Sequence, residues 1–465
     1  MKDNTKVFEE YTIPKAVMTM ALPSMLSMLI NIVYNLADTF FVGQTGDSNQ
    51  VAAVSVSMPL VLLFIATGNL FGVGGCAFVS RSLGEGRKDR VKTISAFCIY
   101  ASIAVGLILG IIFFTLKNQI LMLVGASENT LGLAADYLKW VALGAPSIVL
   151  SITASNLVRG EGAAKESMIG SVIGQITNII LDPIFILHTG DKLFGINMPF
   201  GFDMGVAGAA IATVLSRYVE AAIVIGWTHR HTEKNAFAKG LYSTLKVPAN
   251  LTKKILVKGT PLLFNETLWA SAMAMLTQCY SIRGLNVVAS LNISNTINNV
   301  FNIVFIALGD SVAIIVGQLL GAGDMKKARD TDNKMIAFSV MCCTCVAMVM
   351  FVMAPLFPML YNTNDEAREL AKYLIMITAF FMPQNAFLHA TYFTLRSGGK
   401  TIITFLFDSV FIWCVSVPIA FVLSRYTGIH VLVIYACVQL ADLIKCVIGF
   451  VLVKKGVWLQ NIVSS

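Results

Sequence analysis

Charge is scarce in this sequence. Only 13% of its 465 residues are Asp, Glu, Lys or Arg, whereas 56% are hydrophobic, a balance far outside that of soluble domains. Lipid is therefore the expected solvent. The ~10-residue alternation of barrel strands is also missing, and the apolar runs are too long for core strands. Helices remain, because each satisfies its own backbone hydrogen bonds within one segment.

Other absences narrow the chemistry. The nine cysteines all fall inside apolar runs and are odd in number, which argues against disulfides and zinc. The Cys342, Cys343 and Cys345 cluster has no His or carboxylate beside it and reads as helix surface. The five histidines, mostly in loops, show no ligand spacing, and there is no Walker loop, nucleotide fingerprint or nucleophile elbow. The chain is thus expected to be no enzyme, and its energy must come from a gradient or a partner. The mixed charges of Met1 to Lys15 and the long apolar run behind them do not describe a cleavable signal peptide.

What is present is a series of long uncharged stretches, as a ~30 Å hydrocarbon layer demands. They predict twelve spans: 16–43, 51–80, 93–116, 131–158, 168–188, 204–228, 255–282, 287–319, 335–361, 369–395, 401–424 and 431–453. With the N-terminus inside, the outer side holds only Lys117, Lys139, Lys192, Arg283, Arg368, Lys372 and Arg425. Arg217 and Lys445 fall within spans, and all other Lys and Arg lie on inner segments. This bias predicts a multi-pass cell-membrane protein with both termini cytoplasmic. The net charge of +8 is that topology signal and implies no nucleic-acid partner.

The longest inner loop, Thr228 to Lys254, separates two halves that share landmarks at an offset of about 237 residues. Pro23 falls on Pro261, Leu83-Gly84-Glu85-Gly86 on Leu320-Gly321-Ala322-Gly323, Pro146 on Pro383, and Arg159-x-x-Gly162 on Arg396-x-x-Gly399. The expected architecture is an all-α polytopic protein: a six-helix lobe over 1–228, a cytoplasmic loop over 229–254 and a second six-helix lobe over 255–465. Six is even, so a pseudo-two-fold axis along the membrane normal should relate the repeats, with a midplane cavity between them. Packing alone also explains most of these glycines and prolines.

A carboxylate at membrane depth costs at least ~2.5 kcal/mol by insertion scales, so each is a functional candidate. Asn31, Tyr34, Asn35 and Asp38 form a polar stripe on span 1, and Asn178 and Asp182 stack one turn apart on span 5. Asp182-Pro183 can alternatively end a helix. In span 7, Glu266 lies about one turn past Pro261, with Trp269 and Met273 three and seven residues on. There a cation could meet charge, an aromatic face and a soft wall. A snorkelling surface glutamate is the alternative. Asp310 shares a helix with Asn295, Asn299 and Asn302 and is read equally as a binding group or as satisfied packing. Glu220 near Arg217, Asp442 near Lys445, and Asp408 read as structural partners.

Tyr34-Asn35-Leu36-Ala37-Asp38-Thr39-Phe40-Phe41-Val42-Gly43, the Leu83-Gly84-Glu85-Gly86 turn and Asn178-x-x-x-Asp182-Pro183 together resemble the multidrug and toxic compound extrusion (MATE) family over nearly the whole chain. The resemblance implies a V-shaped pair of lobes, alternating access, and export of small organic cations against inward protons or sodium. It implies ion or proton coupling at Asp38, Asn178, Asp182 and Thr213, and Glu266 resembles the family's span-7 glutamate; Tyr34, Asn35, Trp269, Met273 and Asp310, read from the residues themselves, are the other candidates for substrate binding beside it. Thr213, in Gly205-x-x-Gly208-Ala209-Ala210-x-Ala212-Thr213, resembles the span-6 oxygen donor of that ion site; back-bonding to its own helix is the alternative. Two neighbouring carboxylates in a partly dry site titrate as a coupled pair, suiting a proton carrier or a small-cation cage. No cofactor is expected beyond a bound sodium ion or proton, and the chain is expected to be monomeric. The sodium-type branch carries an aspartate after the span-10 proline, where this chain has Gln384. A lipid-linked oligosaccharide flippase of the same wider superfamily is the rival reading. It calls for basic residues in the cavity, whereas here acids enter the spans and bases avoid them.

Overall fold

A computed structural model describes residues 12–190, 192–193, 196–232, 235, 249–361 and 363–459. The expected inter-lobe loop falls largely outside these residues, as do Lys2 and Lys6. In chain order the helices are α1 (Ile13–Gln44), α2 (Ser48–Gly84), α3 (Lys88–Thr115), a short α4 (Lys117–Val124), α5 (Glu128–Leu143), α6 (Ala145–Gly160), α7 (Ala164–Ile186) and α8 (Gly205–Arg230). There follow α9 (Ala249–Ser281), α10 (Leu285–Gly321), α11 (Met325–Met353), α12 (Asp365–Ser397), a short α13 (Thr401–Phe405) leading through a π-helical stretch to α14 (Val417–Tyr426), and α15 (Val431–Lys455). Counting α5 with α6 and α13 with α14 as single spans, this is the twelve-span pattern read from the sequence. Among the described residues, nine helices alone, or ten with the bent α5–α6 pair, are long and apolar enough to cross a membrane.

The helices begin and end where local chemistry dictates. Asp324 Oδ1 accepts from the Lys327 N–H at 2.9 Å, and Asn364 Oδ1 from the Ala367 N–H at 2.8 Å, so each caps the helix that follows. The repeated turn motifs have one cause: Gly86 and Gly323 have φ of 73° and 81°, and Gly162 and Gly399 have φ of 90° and 69°, values open to glycine at little cost.

The repeats differ at their third landmark. The fourth span is bent by 53° between α5 and α6, where the sequence predicted an unbroken helix. Gly144 stands at the break with Pro146 in the next turn, and a Cβ on Gly144 would collide with Val214 of α8. The equivalent of Gly144 at the repeat offset is Phe381, and α12 runs unbroken through Pro383. The long loop from His188 to Asp203 carries a small antiparallel hairpin, Lys192–Leu193 against Ile196–Asn197.

Two compact units emerge. The first contains residues 26–79 and 87–256, and the second residues 80–86, those from Val257 onward and the first helix up to Met25. The first unit's core gathers Phe64, Leu121, Leu138, Val141, Val149 and Ala209. The second has a core of Val17, Leu308, Val316, Met335, Leu395 and Trp458, and another of Ala272, Leu276, Leu374 and Ile434. Small residues set the helix spacing, as expected in lipid. On α7, a Cβ at Gly174 would lie 2.9 Å from Glu220 Cβ, and one at Gly170 would collide with Val224.

Candidate functional site

That close approach of α7 and α8 assembles a polar site in the first unit. Asn178 and Asp182, one turn apart on α7, are fully buried, and Thr213 on α8 is buried opposite them. The Asn178 amide satisfies both ends when its nitrogen donates to Asp182 Oδ2 at 3.0 Å and its oxygen accepts from the Thr213 backbone N–H at 3.1 Å. Turned the other way, it makes only a 3.5 Å contact with Thr213 Oγ1.

From α1, Tyr34 and Asp38 enter the same site, both buried. The Tyr34 hydroxyl reaches the Thr213 side chain and the Arg217 guanidinium. Asp38 lies within Coulomb range of Asp182, and its Oδ1 is buried with no hydrogen-bond partner among the described residues. The stripe expected on span 1 therefore divides. Tyr34 and Asp38 face inward, whereas Asn35 is exposed and donates to the Asn31 carbonyl at 2.8 Å. A 3.6-residue repeat places positions 34, 35 and 38 on one broad face, and packing selects the inner edge of it.

Arg217 donates to Glu220 Oε2 at 2.8 Å, the local pair read from the sequence, and Ser155 Oγ donates to Glu220 Oε1 at 3.3 Å. Tyr137 of α5 is buried within range of Tyr34, Asp38 and Asp182. It lies far from these residues in sequence and sits on an ordinary apolar face, so no pattern marked it. Asp182 is buried and hydrogen-bonded within α7, which continues past Pro183 to Ile186; the helix-stop alternative is not what this helix does.

In the second unit, Glu266 and Trp269 are exposed on α9, and Met273 is half-buried one turn on. Asp310, half-buried on α10, and Arg396 lie within Coulomb range of Glu266. Asn295 and Asn299 are exposed. Gln384 is occupied elsewhere, donating to the Gln439 carbonyl of α15 at 2.9 Å. Lys445 does not pair with Asp442 as its i,i+3 spacing suggested. It donates to Asp408 Oδ1 at 2.7 Å, and Asn265 donates to Asp408 Oδ2 at 3.2 Å. A cross-helix partner one hydrogen bond away prevails over the local one.

Acids, amides and hydroxyls buried within long apolar helices are the furniture of an ion or solute pathway, and the fold that holds them is that of a multi-pass membrane transporter. The MatE family pattern matches twice, over residues 23–184 and 261–422, once per repeat. The chain belongs to the MatE family, whose members are secondary transporters and not enzymes.

Curated relatives include "Multidrug export protein MepA" of Staphylococcus aureus (strain NCTC 8325 / PS 47), 27% identical over 427 residues, covering 91% of this chain and 90% of that protein. The MepA of Staphylococcus haemolyticus (strain JCSC1435) is 27% identical over 428 residues, covering 91% and 89%. The fold is similar to that in "Crystal structure of MATE in complex with MaD3S", with TM-score 0.87, 21% identity and 98% of each chain covered. It is also similar to a MOP superfamily transporter from Pyrococcus furiosus Vc1 (DSM3638), with TM-score 0.85, 21% identity and 98% of each chain covered.

Proposed function

We infer that the chain is a cation-coupled antiporter that exports small organic cations and drugs by alternating access. Asp38, Asn178, Asp182 and Thr213 exchange a proton or sodium ion. Tyr34, Asn35, Glu266, Trp269, Met273 and Asp310 receive the cargo. Both termini are cytoplasmic, and the working unit is one chain.

The observation that carries this reading is the buried carboxylate pair of Asp38 and Asp182, set among Asn178, Thr213 and Tyr34. Ionised, two such neighbours repel in a site with little water; either a proton or a small cation relieves that repulsion. The site offers only oxygen and amide groups, a set suited to a hard cation. The relatives named as multidrug export proteins support drugs as cargo. On the second unit, Glu266 supplies negative charge beside the indole of Trp269, a surface suited to an aromatic cation. Against a pyrophosphate-lipid cargo, the two basic side chains placed within spans, Arg217 and Lys445, are each held by a carboxylate.

Ethidium efflux from cells expressing the chain, followed by fluorescence, tests the reading. Collapse of either the proton or the sodium gradient should stop export. Export that persists with both gradients collapsed would contradict it.

A further inference from the structure

Lys445 stands between two carboxylates. Its ammonium donates to Asp408 Oδ1 at 2.7 Å across two helices, and it lies 5.3 Å from the centre of the Phe407 ring. One turn back on α15 is Asp442, whose Oδ1 is buried with no hydrogen-bond partner among the described residues. An i,i+3 pair is within side-chain reach, so one ammonium has two seats of the same chemistry, only one of them taken. The Lys445 side chain is 8% exposed and that of Asp408 21%. Apolar residues fill such a place at least as stably as a buried ion pair does, and charge in a span marks function by default.

Asp408 also sits where its span departs from α-helical geometry. Leu406–Val410 and Ile412–Ser416 are π-helical, a geometry that recurs at functional positions. Asn265, next to Glu266 on α9, holds this stretch. It donates to Asp408 Oδ2, and Ser409 Oγ donates to both its carbonyl and its side-chain oxygen at 2.8 Å. Asn265 thus links the turn of α9 that carries Glu266 directly to Asp408.

We propose that Asp408, Asp442 and Lys445 form a proton-binding site of the second unit, in which Lys445 alternates between the two acids and Asp442 holds a proton while the ammonium sits on Asp408. The step balances. When a cationic cargo reaches Asp408, the ammonium moves to Asp442, the Asp442 O–H bond breaks and its proton passes to solvent. Without cargo the site holds one ammonium, one carboxylate and one carboxylic acid; with cargo it holds one ammonium, two carboxylates and the cargo cation, so each binding event releases one proton. An unpaired buried carboxylate is costly, which ties protonation to the position of the lysine.

The other groups facing the site are fixed or distant in role. From α12, His389 and Tyr392 face Asp408; His389 Nδ1 is within 3.0 Å of the Asn385 carbonyl, and Tyr392 also meets Arg396. Glu266 faces Asp408 from α9. Tyr280 of α9 and Cys446 of α15 face Asp442.

The inference uses the antiport reading only for its cargo, so the test separates the two. Ethidium is added to purified full-length protein in weakly buffered detergent, and released protons are counted with a pH indicator, with thermal melting as the folding control. The comparison starts from Asp38→Asn, in which the first unit's carboxylate is removed. Release should persist in Asp38→Asn and fall at least fivefold when Asp442→Asn is added, with the melting temperature unchanged. Equal release with and without Asp442→Asn, or none in Asp38→Asn, overturns the switch and leaves the first-unit reading standing. Release in Asp38→Asn equal to that of the unaltered protein would instead sink the first-unit reading. The double variant Asp408→Asn with Lys445→Met guards against misfolding: as a neutral pair it should fold yet lose this release, and restored release would mean that the pair is only structural.

Discussion

Gly84 and Gly321 occupy equivalent places in the two repeats and make the same contact: Gly84 packs on the backbone of Gln318, and Gly321 on the backbone of Arg81. Gln318 is itself the repeat equivalent of Arg81, so the contact is reciprocal. At both places a Cβ would overlap the facing backbone, which cannot yield as a flexible side chain can. Gly321→Val should therefore destabilise the protein by about 1–3 kcal/mol, the usual cost of overpacking. A melting temperature in detergent equal to that of the unaltered protein would show that the contact is dispensable.

The Arg217–Glu220 pair gives a sharper stability test, because its side chains are only 15% and 4% exposed. Arg217→Met alone strands Glu220 and should cost about 3–5 kcal/mol, whereas adding Glu220→Met should recover most of the loss. Denaturation of the two variants in the same detergent decides it. Equal destabilisation in the single and double variants would mean that the charge pairing contributes nothing.

Sidedness is tested by single cysteines in a background lacking the exposed native Cys345 and Cys414. Cysteines placed within 84–90 and 322–329 should react only with cytoplasmic reagent, and those within 190–200 only with external reagent. Labelling of both groups from one side would contradict the orientation read from the lysine and arginine distribution.

Glu266→Gln should raise the apparent KM for a monovalent cation such as ethidium. The loss of a charged contact is about 1.5–3 kcal/mol, or roughly one to two decades in affinity. A neutral substrate should lose little. If both substrates and ion-driven exchange fall together, Glu266 belongs to the coupling machinery instead.

Much of this fold was legible because lipid imposes length and charge rules on every span, and helices such as Val431–Lys455 and Leu285–Gly321 lie where the uncharged runs put them. The bend at Gly144 was not legible, since both repeats carry the proline, at 146 and 383, and only the first bends beside it. Asp38, Asn178 and Asp182 could be named in advance because polar groups stand out in apolar sequence, and Thr213 only through its family resemblance. Tyr137 could not, because its role depends on which neighbours face it. Lys445 shows the limit most plainly: spacing along one helix pointed to Asp442, and only the packing of α15 against the π-helical stretch revealed Asp408.

Ion coupling depends most heavily on the buried acid of α1, and transport by Asp38→Asn in proteoliposomes tests this most directly. The substitution removes charge at nearly constant volume, so folding and ethidium binding should persist. With proton and sodium gradients imposed separately, the unaltered protein should drive ethidium uphill under at least one of them, and Asp38→Asn under neither, with Asp182→Asn behaving alike. Uphill transport by well-folded Asp38→Asn at the unaltered rate would contradict the assignment of the coupling ion to this site.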